Sequence, residues 1–400
     1  MKNNTLITLL LSVFIAFLGI GIIVPIMPVF AGELGAGGFS LGMIIAAFSM
    51  TRGLLLPLVG NLSDRWGRKS FLATGLLIYG IVGLLIPQAE NIGQLITIRS
   101  FHGVGSAMIV PIAMAYLSLL APRGEEGRYM SYLNIAIFSG IGCGPIIGGL
   151  IYDAAGFAAV FHLMAVLSLI AFLLVLSYMP PHVPSDTRHV AGMLQSFKKM
   201  AGSLKTGGIL LARYGTMIIM VPTMAFLPLL MAGWGNSSGL QIGIVIAGRT
   251  LINAMLQVPF GKLSDRFNKL IILAVGSCCL AVTVLFIPWM DTFPKMLFLY
   301  LLLGAEEAAV WAVLGAYASI EAKEHYGHGT MMGVFSFAMS IGVFTGAVIS
   351  GVSMDIWGIV FAYTVAGCAV FLISLAASGM ILLHNRREEA EKIKHFREDR

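Results

Sequence analysis

The stretch GNLSDRWGRKS, residues 60–70, crowds Asp64, Arg65, Arg68 and Lys69 into six positions of an otherwise apolar chain. A second version, GKLSDRFNK, stands at residues 261–269, displaced by 201 positions. Around these two charged knots, 58% of the 400 residues are hydrophobic, only 11% are charged, and the mean hydropathy is +0.90. A soluble domain carries about 25% charged residues, so the composition is that of a membrane protein. Apolar runs of about twenty residues recur along the chain, each long enough to cross a hydrocarbon core of about 30 Å as a helix. The strict alternation expected of an outer-membrane barrel is absent.

Working outward from the two knots gives twelve expected helices, near residues 5–30, 40–60, 69–88, 94–119, 129–152, 157–179, 208–232, 239–261, 269–290, 294–320, 329–354 and 358–384. The first run starts at about Thr5 and passes Pro28, too long for a signal-peptide core and without a small-residue cleavage site, so it reads as a retained span. Connectors on one side carry nearly all of the 25 Lys and Arg. Lys295 stands alone on the other, and Arg52, Arg99 and Arg249 lie within spans. The positive-inside rule then puts both termini in the cytoplasm and the chain in the cell (inner) membrane. The net charge of +6 reads as this orientation signal, not as a nucleic-acid surface. Cys143, Cys278, Cys279 and Cys368 all fall inside apolar runs, which suits small buried hydrophobes rather than disulfides or metal ligands.

The repeat extends beyond the knots. A shift of 201 places Gly42 on Gly243, Gly103 on Gly304 and Tyr116 on Tyr317. A shift of 202 then places Gly149 on Gly351, Asp153 on Asp355 and Gly156 on Gly358. The expected organisation is a six-helix bundle at 1–179, a cytoplasmic linker at 180–207, a second bundle at 208–384 and a tail at 385–400. Parallel repeats of this kind characterise a large class of transporters that bind substrate between the halves.

Three motifs carry a family resemblance. GNLSDRWGRKS resembles the loop between helices 2 and 3 of the major facilitator superfamily, and RSFHGVGSA (99–107) resembles its helix 4 motif. GIGCGPIIGG (140–149) resembles the helix 5 motif of its antiporters, and LGIGIIVPIMP in helix 1 is similar to the twelve-helix drug:proton exporters. The resemblance implies an all-α membrane protein of two pseudo-symmetric six-helix bundles. It also implies a cytoplasmic gate in which Asp64 meets the N-terminal end of helix 11. Arg65, Gly67, Arg68 and Lys69 belong to that gate, with Asp265 and Arg266 as a weaker copy. In helix 5, Gly140, Gly144 and Gly148 form a stripe that admits a neighbouring backbone, beside Pro145 and Gly149.

A charged side chain at mid-membrane costs about 2.5–3.5 kcal/mol. Arg52, Arg99, Arg249, Glu306 and Glu307 must therefore face a cavity or one another. Arg99, His102 and Ser106 form a polar stripe whose 201-shifted equivalents are Tyr300, Leu303 and Glu307, with Trp311 one turn on. Symmetry favours Glu307 as the cavity acid; Glu306, rotated by about 100°, serves packing or pairs with Arg249. His102 reads as a neutral packing residue or a proton relay. Pro25 and Pro28 in helix 1, and Pro222 and Pro228 in helix 7, are expected to interrupt spans that line a cavity.

The expected function is proton-coupled export of amphipathic small molecules by a monomer in the bilayer, with the proton as coupling ion and no other cofactor or metal. The alternative is transport of one metabolite such as a sugar or an organic anion. No phosphate-binding G-x-x-x-x-G-K-[ST] loop occurs, which disfavours an ATP-driven pump, and no enzyme constellation is present.

Overall fold

Hydropathy dictates helices, and in the computed structural model helices account for nearly every described residue (2–120, 122, 126–180, 198–235, 237–326 and 328–398). Eleven are long and apolar enough to cross a membrane; one of these, Tyr132–Tyr178, spans 47 residues. It is two crossings joined at Gly156, whose φ of +78° only glycine adopts cheaply. The twelve crossings are α1 (Lys2–Glu33), α2 (Gly38–Trp66), α3 (Arg68–Leu85), α4 (Ile92–Ala107 and Val110–Leu120), α5 (126–155) and α6 (157–178). They continue with α7 (Leu204–Ile218, Met220–Ala225 and Leu227–Ala232), α8 (Gly239–Arg266), α9 (Lys269–Phe286), α10 (Phe293–Glu321), α11 (His328–Trp357) and α12 (Ile359–Glu398).

The charged knots are helical where a turn was expected. α2 runs through Trp66, and Gly67 alone reverses the chain, at φ +103°. In the second copy α8 runs to Arg266, and the Asn268 side chain accepts a hydrogen bond from Leu270 N at 2.9 Å to start α9. One half thus uses a glycine and the other an N-cap at the same repeat position. The tail beyond 384 is likewise continuous with α12 to Glu398. Of the expected linker, residues 181–197 lie outside the described residues, and α7 already begins at Leu204.

Prolines act unequally. Pro222 and Pro228 lack the N–H that an α-helix needs, and α7 breaks at Ile219 and Phe226. Pro25 and Pro28, by contrast, do not interrupt α1, which is helical from Lys2 to Glu33. Packing explains the difference: α1 is clamped by α5 through Gly21 and by α6 through Gly19, and neighbours can hold a proline-bearing span straight. Cys278, Cys279 and Cys368 are exposed on the helix surfaces, not buried as the sequence suggested.

The packing partners repeat. α1 lies on α5 and α6, α3 on α6, and α2 on α4; correspondingly α7 lies on α11 and α12, α9 on α12, and α8 on α10. The closest approaches obey the repeat as well. A Cβ on Gly103 would meet the Phe48 carbonyl, and one on Gly304 would meet the Arg249 carbonyl, 201 positions on. Two seams join the sets: α2 with α11, and α5 with α8.

Candidate functional site

The two seams shut at the end distal to the chain termini. Along α2–α11, Gly38 and Gly42 admit the Gly351 and Ala347 carbonyls, and Gly53 admits Ser340. Along α5–α8, Gly149 and Gly243 bring in the Gly239 and Pro145 carbonyls, and Gly142 admits Leu251. Each seam ends in a carboxylate that caps a helix of the other set. Asp153 of α5 accepts from Gly239 N and Leu240 N of α8 at 3.0 Å each. Asp355 of α11 accepts from Gly38 N and, at 2.8 Å, from Phe39 N of α2. The first N–H groups of a helix have no partner within it and carry its positive dipole end, so both contacts bind an anion where one is favoured. α8 also has its own capping box from Ser238 and Gln241, whereas α2 has no side-chain cap of its own.

Beside the α5–α8 closure a cavity of about 240 Å³ lies between α1, α5, α7 and α8, lined by Pro25, Val29, Tyr152, Pro228 and Ile242 among others. Toward the termini the packing loosens. A Cβ at Gly261, Gly315 or Gly333 would meet nothing within 4 Å, and Leu54, Leu58, Met255 and Val258 are exposed. The structure is closed distally and open-packed at the other end.

Buried polar chemistry differs between the sets. In α7–α12, Arg249 is 1% exposed and grips Glu307 with both Nε (2.9 Å) and a terminal nitrogen, a bidentate pair. Its other terminal nitrogen donates to Thr223 Oγ1 at 2.6 Å, and the Tyr300 hydroxyl donates to the Thr223 carbonyl at 2.7 Å. Of the two roles the sequence left to Glu306, packing or a pair with Arg249, the pair falls instead to Glu307. α8 packs on the face of α10 that carries Gly304, and Glu307 is three residues along that face. Glu306 turns to α9, where its Oε1 accepts from Thr283 at 2.9 Å; its Oε2 is buried with no partner among the described residues. Arg249 and Tyr300 are fully buried in this conformation, not cavity walls.

In α1–α6, Arg99 donates to His102 Nδ1 at 2.8 Å and lies 4.6 Å from the Phe48 ring centroid. A guanidinium only donates, so Nδ1 accepts and the ring proton sits on Nε2, which is buried without a partner among the described residues. Tyr79 packs edge-on to His102 at 4.3 Å, bonds to Ser106 and lies within electrostatic reach of Arg52 and Arg99. Among the described residues no carboxylate pairs with Arg52 or Arg99.

The glycine stripe of α5 does what its spacing implied: Gly140, Gly144 and Gly148 accept the α1 backbone at Phe14, Leu18, Gly21 and Ile22. The adjoining face, with Pro145 and Gly149, meets α8. Of the charged knot, the side chains of Asp64, Arg65 and Asp265 lie outside the described residues. Arg68 donates to the Ala115 carbonyl in the middle of Val110–Leu120 (3.5 Å), Lys69 donates to the Leu176 carbonyl near the C-terminal end of α6 (2.7 Å), and Arg266 is exposed. A cation is favoured at such an end, and the two residues brace α3 against α4 and α6.

Sequence reasoning missed Arg213, which it absorbed into the basic connectors. Arg213 lies inside α7 with Trp311 of α10 at 4.9 Å and Phe335 of α11 at 5.0 Å from its guanidinium carbon. It also missed Thr223, Thr283 and Tyr79, and saw Asp153 and Asp355 only as repeat markers.

With this geometry in place, comparison with known proteins is informative. The family model of the Major Facilitator Superfamily matches residues 9–239 and 217–399. The quinolone resistance protein NorA of Staphylococcus aureus is 24% identical across 98% of this chain and 99% of its own length. Multidrug resistance protein 1 of Bacillus subtilis is 28% identical across 67% of this chain and 68% of its own. Among solved structures, the nucleoside transporter NupG superposes with a TM-score of 0.79 at 14% identity, covering 94% of this chain and 99% of NupG.

Proposed function

We propose that this chain, which belongs to the Major Facilitator Superfamily and is a multi-pass membrane transporter rather than an enzyme, exports amphipathic small molecules in exchange for protons. Its place would be the cell membrane with both termini inside, acting as a monomer whose bundles at 1–179 and 208–384 rock about the α2–α11 and α5–α8 seams. The observation that carries export is full-length similarity to a resistance protein, in a chain whose helix 5 residues Pro145 and Gly149 lie in the α5–α8 seam. Distal closure with loose packing toward the termini suits one end state of an alternating-access cycle.

For the proton, the chemistry favours Glu306. Both oxygens of Glu307 are held by Arg249, whereas Glu306 keeps one buried oxygen free to take a proton. Each proton entering down 100 mV supplies about 2.3 kcal/mol, roughly a fiftyfold substrate gradient at about 1.4 kcal/mol per factor of ten. The test is substrate-driven proton flux in proteoliposomes. Glu306→Gln should abolish it while leaving substrate counterflow. If neither Glu306→Gln nor Glu307→Gln alters proton flux, the coupling proposal fails.

A further inference from the structure

Four arginines lie within the spans, Arg99 and Arg249 buried and Arg52 and Arg213 half-buried, and among the described residues only Arg249 forms an ion pair with a carboxylate. Arg99 is 6% exposed and spends a donor on His102, so it is sealed in. Arg213 is different. Its guanidinium is flanked by the Trp311 and Phe335 rings, and a terminal nitrogen reaches Met339 Sδ at 3.1 Å, a weak acceptor. Its Nε–H and the indole N–H of Trp311 are both buried without an acceptor among the described residues. Buried donors normally find partners, and here two from different helices stand unsatisfied around one cation. One turn on, Trp311 and Gly315 share a face of α10 and are both half-buried, and a Cβ at Gly315 or Gly333 would meet nothing within 4 Å.

We propose that Arg213 and Trp311 form an anion subsite in the transport pathway and that the transported molecule is an organic anion with an apolar, ring-bearing body. The inference rests on the transporter reading above and adds the substrate's charge and its holding residues. A carboxylate, sulfonate or phosphate would accept from Arg213 Nε and Trp311 Nε1, while the apolar body lies along Phe335 and the open flank at Gly315 and Gly333. Arginine suits this role because its planar fork is always charged and stacks on aromatic faces. Phospholipid headgroups offer the same phosphate oxygens, so the experiment must separate lipid from soluble anion.

The test is equilibrium binding to the purified full-length protein, read by dye anisotropy with no proton gradient. Fluorescein and rhodamine 6G share a three-ring body and carry opposite charge. The wild-type protein should bind fluorescein more tightly. Arg213→Gln should weaken fluorescein about tenfold or more, as expected for loss of a charge-assisted bond, and leave rhodamine 6G within about twofold. Arg213→Lys should restore part of the loss, and Trp311→Phe should cost about threefold to tenfold for fluorescein alone. Dihexanoyl phosphatidic acid should not displace the dye; displacement would overturn assignment to a soluble substrate. Unchanged fluorescein affinity in a folded Arg213→Gln protein, or equal losses for both dyes, would overturn the subsite. Because no proton flux is involved, these results stand apart from the Glu306 experiment.

Discussion

If Asp153 and Asp355 hold the distal end shut, neutralising them must let that end open. Each carboxylate takes two backbone N–H groups at a helix N-terminus and is itself exposed. An anion at such a terminus contributes about 0.3–1 kcal/mol, and a net hydrogen bond about 0.5–1.5 kcal/mol. Asparagine keeps one acceptor, so Asp→Asn should remove about 1 kcal/mol per seam, roughly a five- to tenfold rise in the open-to-closed ratio. The two contacts lie on separate seams, and distant changes add, so the double variant should shift the ratio by about thirtyfold. The effect should be larger for Asp355→Asn, because α2 has no other cap while α8 keeps Ser238 and Gln241. The readout is alkylation of Val29→Cys, which lines the distal cavity, in a background with Cys143, Cys278, Cys279 and Cys368 replaced by alanine. On the proposed topology, a membrane-impermeant maleimide added outside intact cells labels the residue at a rate that rises with the open fraction, provided closing outpaces alkylation. A double variant that folds and labels within twofold of the parent would refute the latch.

Three further outcomes follow from the packing. Gly42→Ala and Gly243→Ala each drive a Cβ into a carbonyl across a seam; overpacking costs about 1–3 kcal/mol, so both should raise Val29→Cys labelling. Glu307→Gln or Arg249→Met alone strands a buried charge or its donors and should cost about 3–5 kcal/mol. That appears as a lowered melting temperature, which the Arg249→Met/Glu307→Leu pair should largely recover. Gly67→Ala places a side chain at φ +103° and should destabilise by about 1–3 kcal/mol, while Asn268→Ala, losing only a cap, should cost about 1 kcal/mol in the same melting assay.

Hydropathy reads membrane thickness, not helix length, and this accounts for what the sequence disclosed of the fold. Each crossing was legible, but the ends of α2, α8 and α12 were not. Charged residues outside the hydrocarbon do not stop a helix, and only Gly67 or the Asn268 cap does. The site was legible by position and illegible by partner. A shift of 201 set Glu307 on the stripe of Arg99 and His102 and Arg249 on Phe48, yet could not say that Arg249 reaches Glu307 rather than Glu306. Asp153 and Asp355 were in register at 202, but equivalence under a repeat does not reveal that each reaches into the other set. Arg213 was lost because counting cations by side treats an arginine near a helix end as topology, whatever its side chain touches.

The repeat was retained where geometry must be shared and abandoned where chemistry must differ. Gly38 and Gly239 start the two capped helices, Asp153 and Asp355 cap them, and Gly103 and Gly304 seat the same carbonyl of the neighbouring helix. Both seams close one end of one molecule, so a latch on one alone would leave the other free to open. In the interior no such constraint acts. Phe48, Arg99 and Ser106 on one side stand opposite Arg249, Tyr300 and Glu307 on the other. The acids lie only in α10, and the paired arginine lies beside them. A proton-binding group duplicated in both halves would place two like charges across one pathway, each disfavouring the other's ionisation. On the proposed reading, confining the acids to one half avoids that repulsion, and Arg213, stacked on Trp311 of the same α10, keeps donors available for an incoming anion.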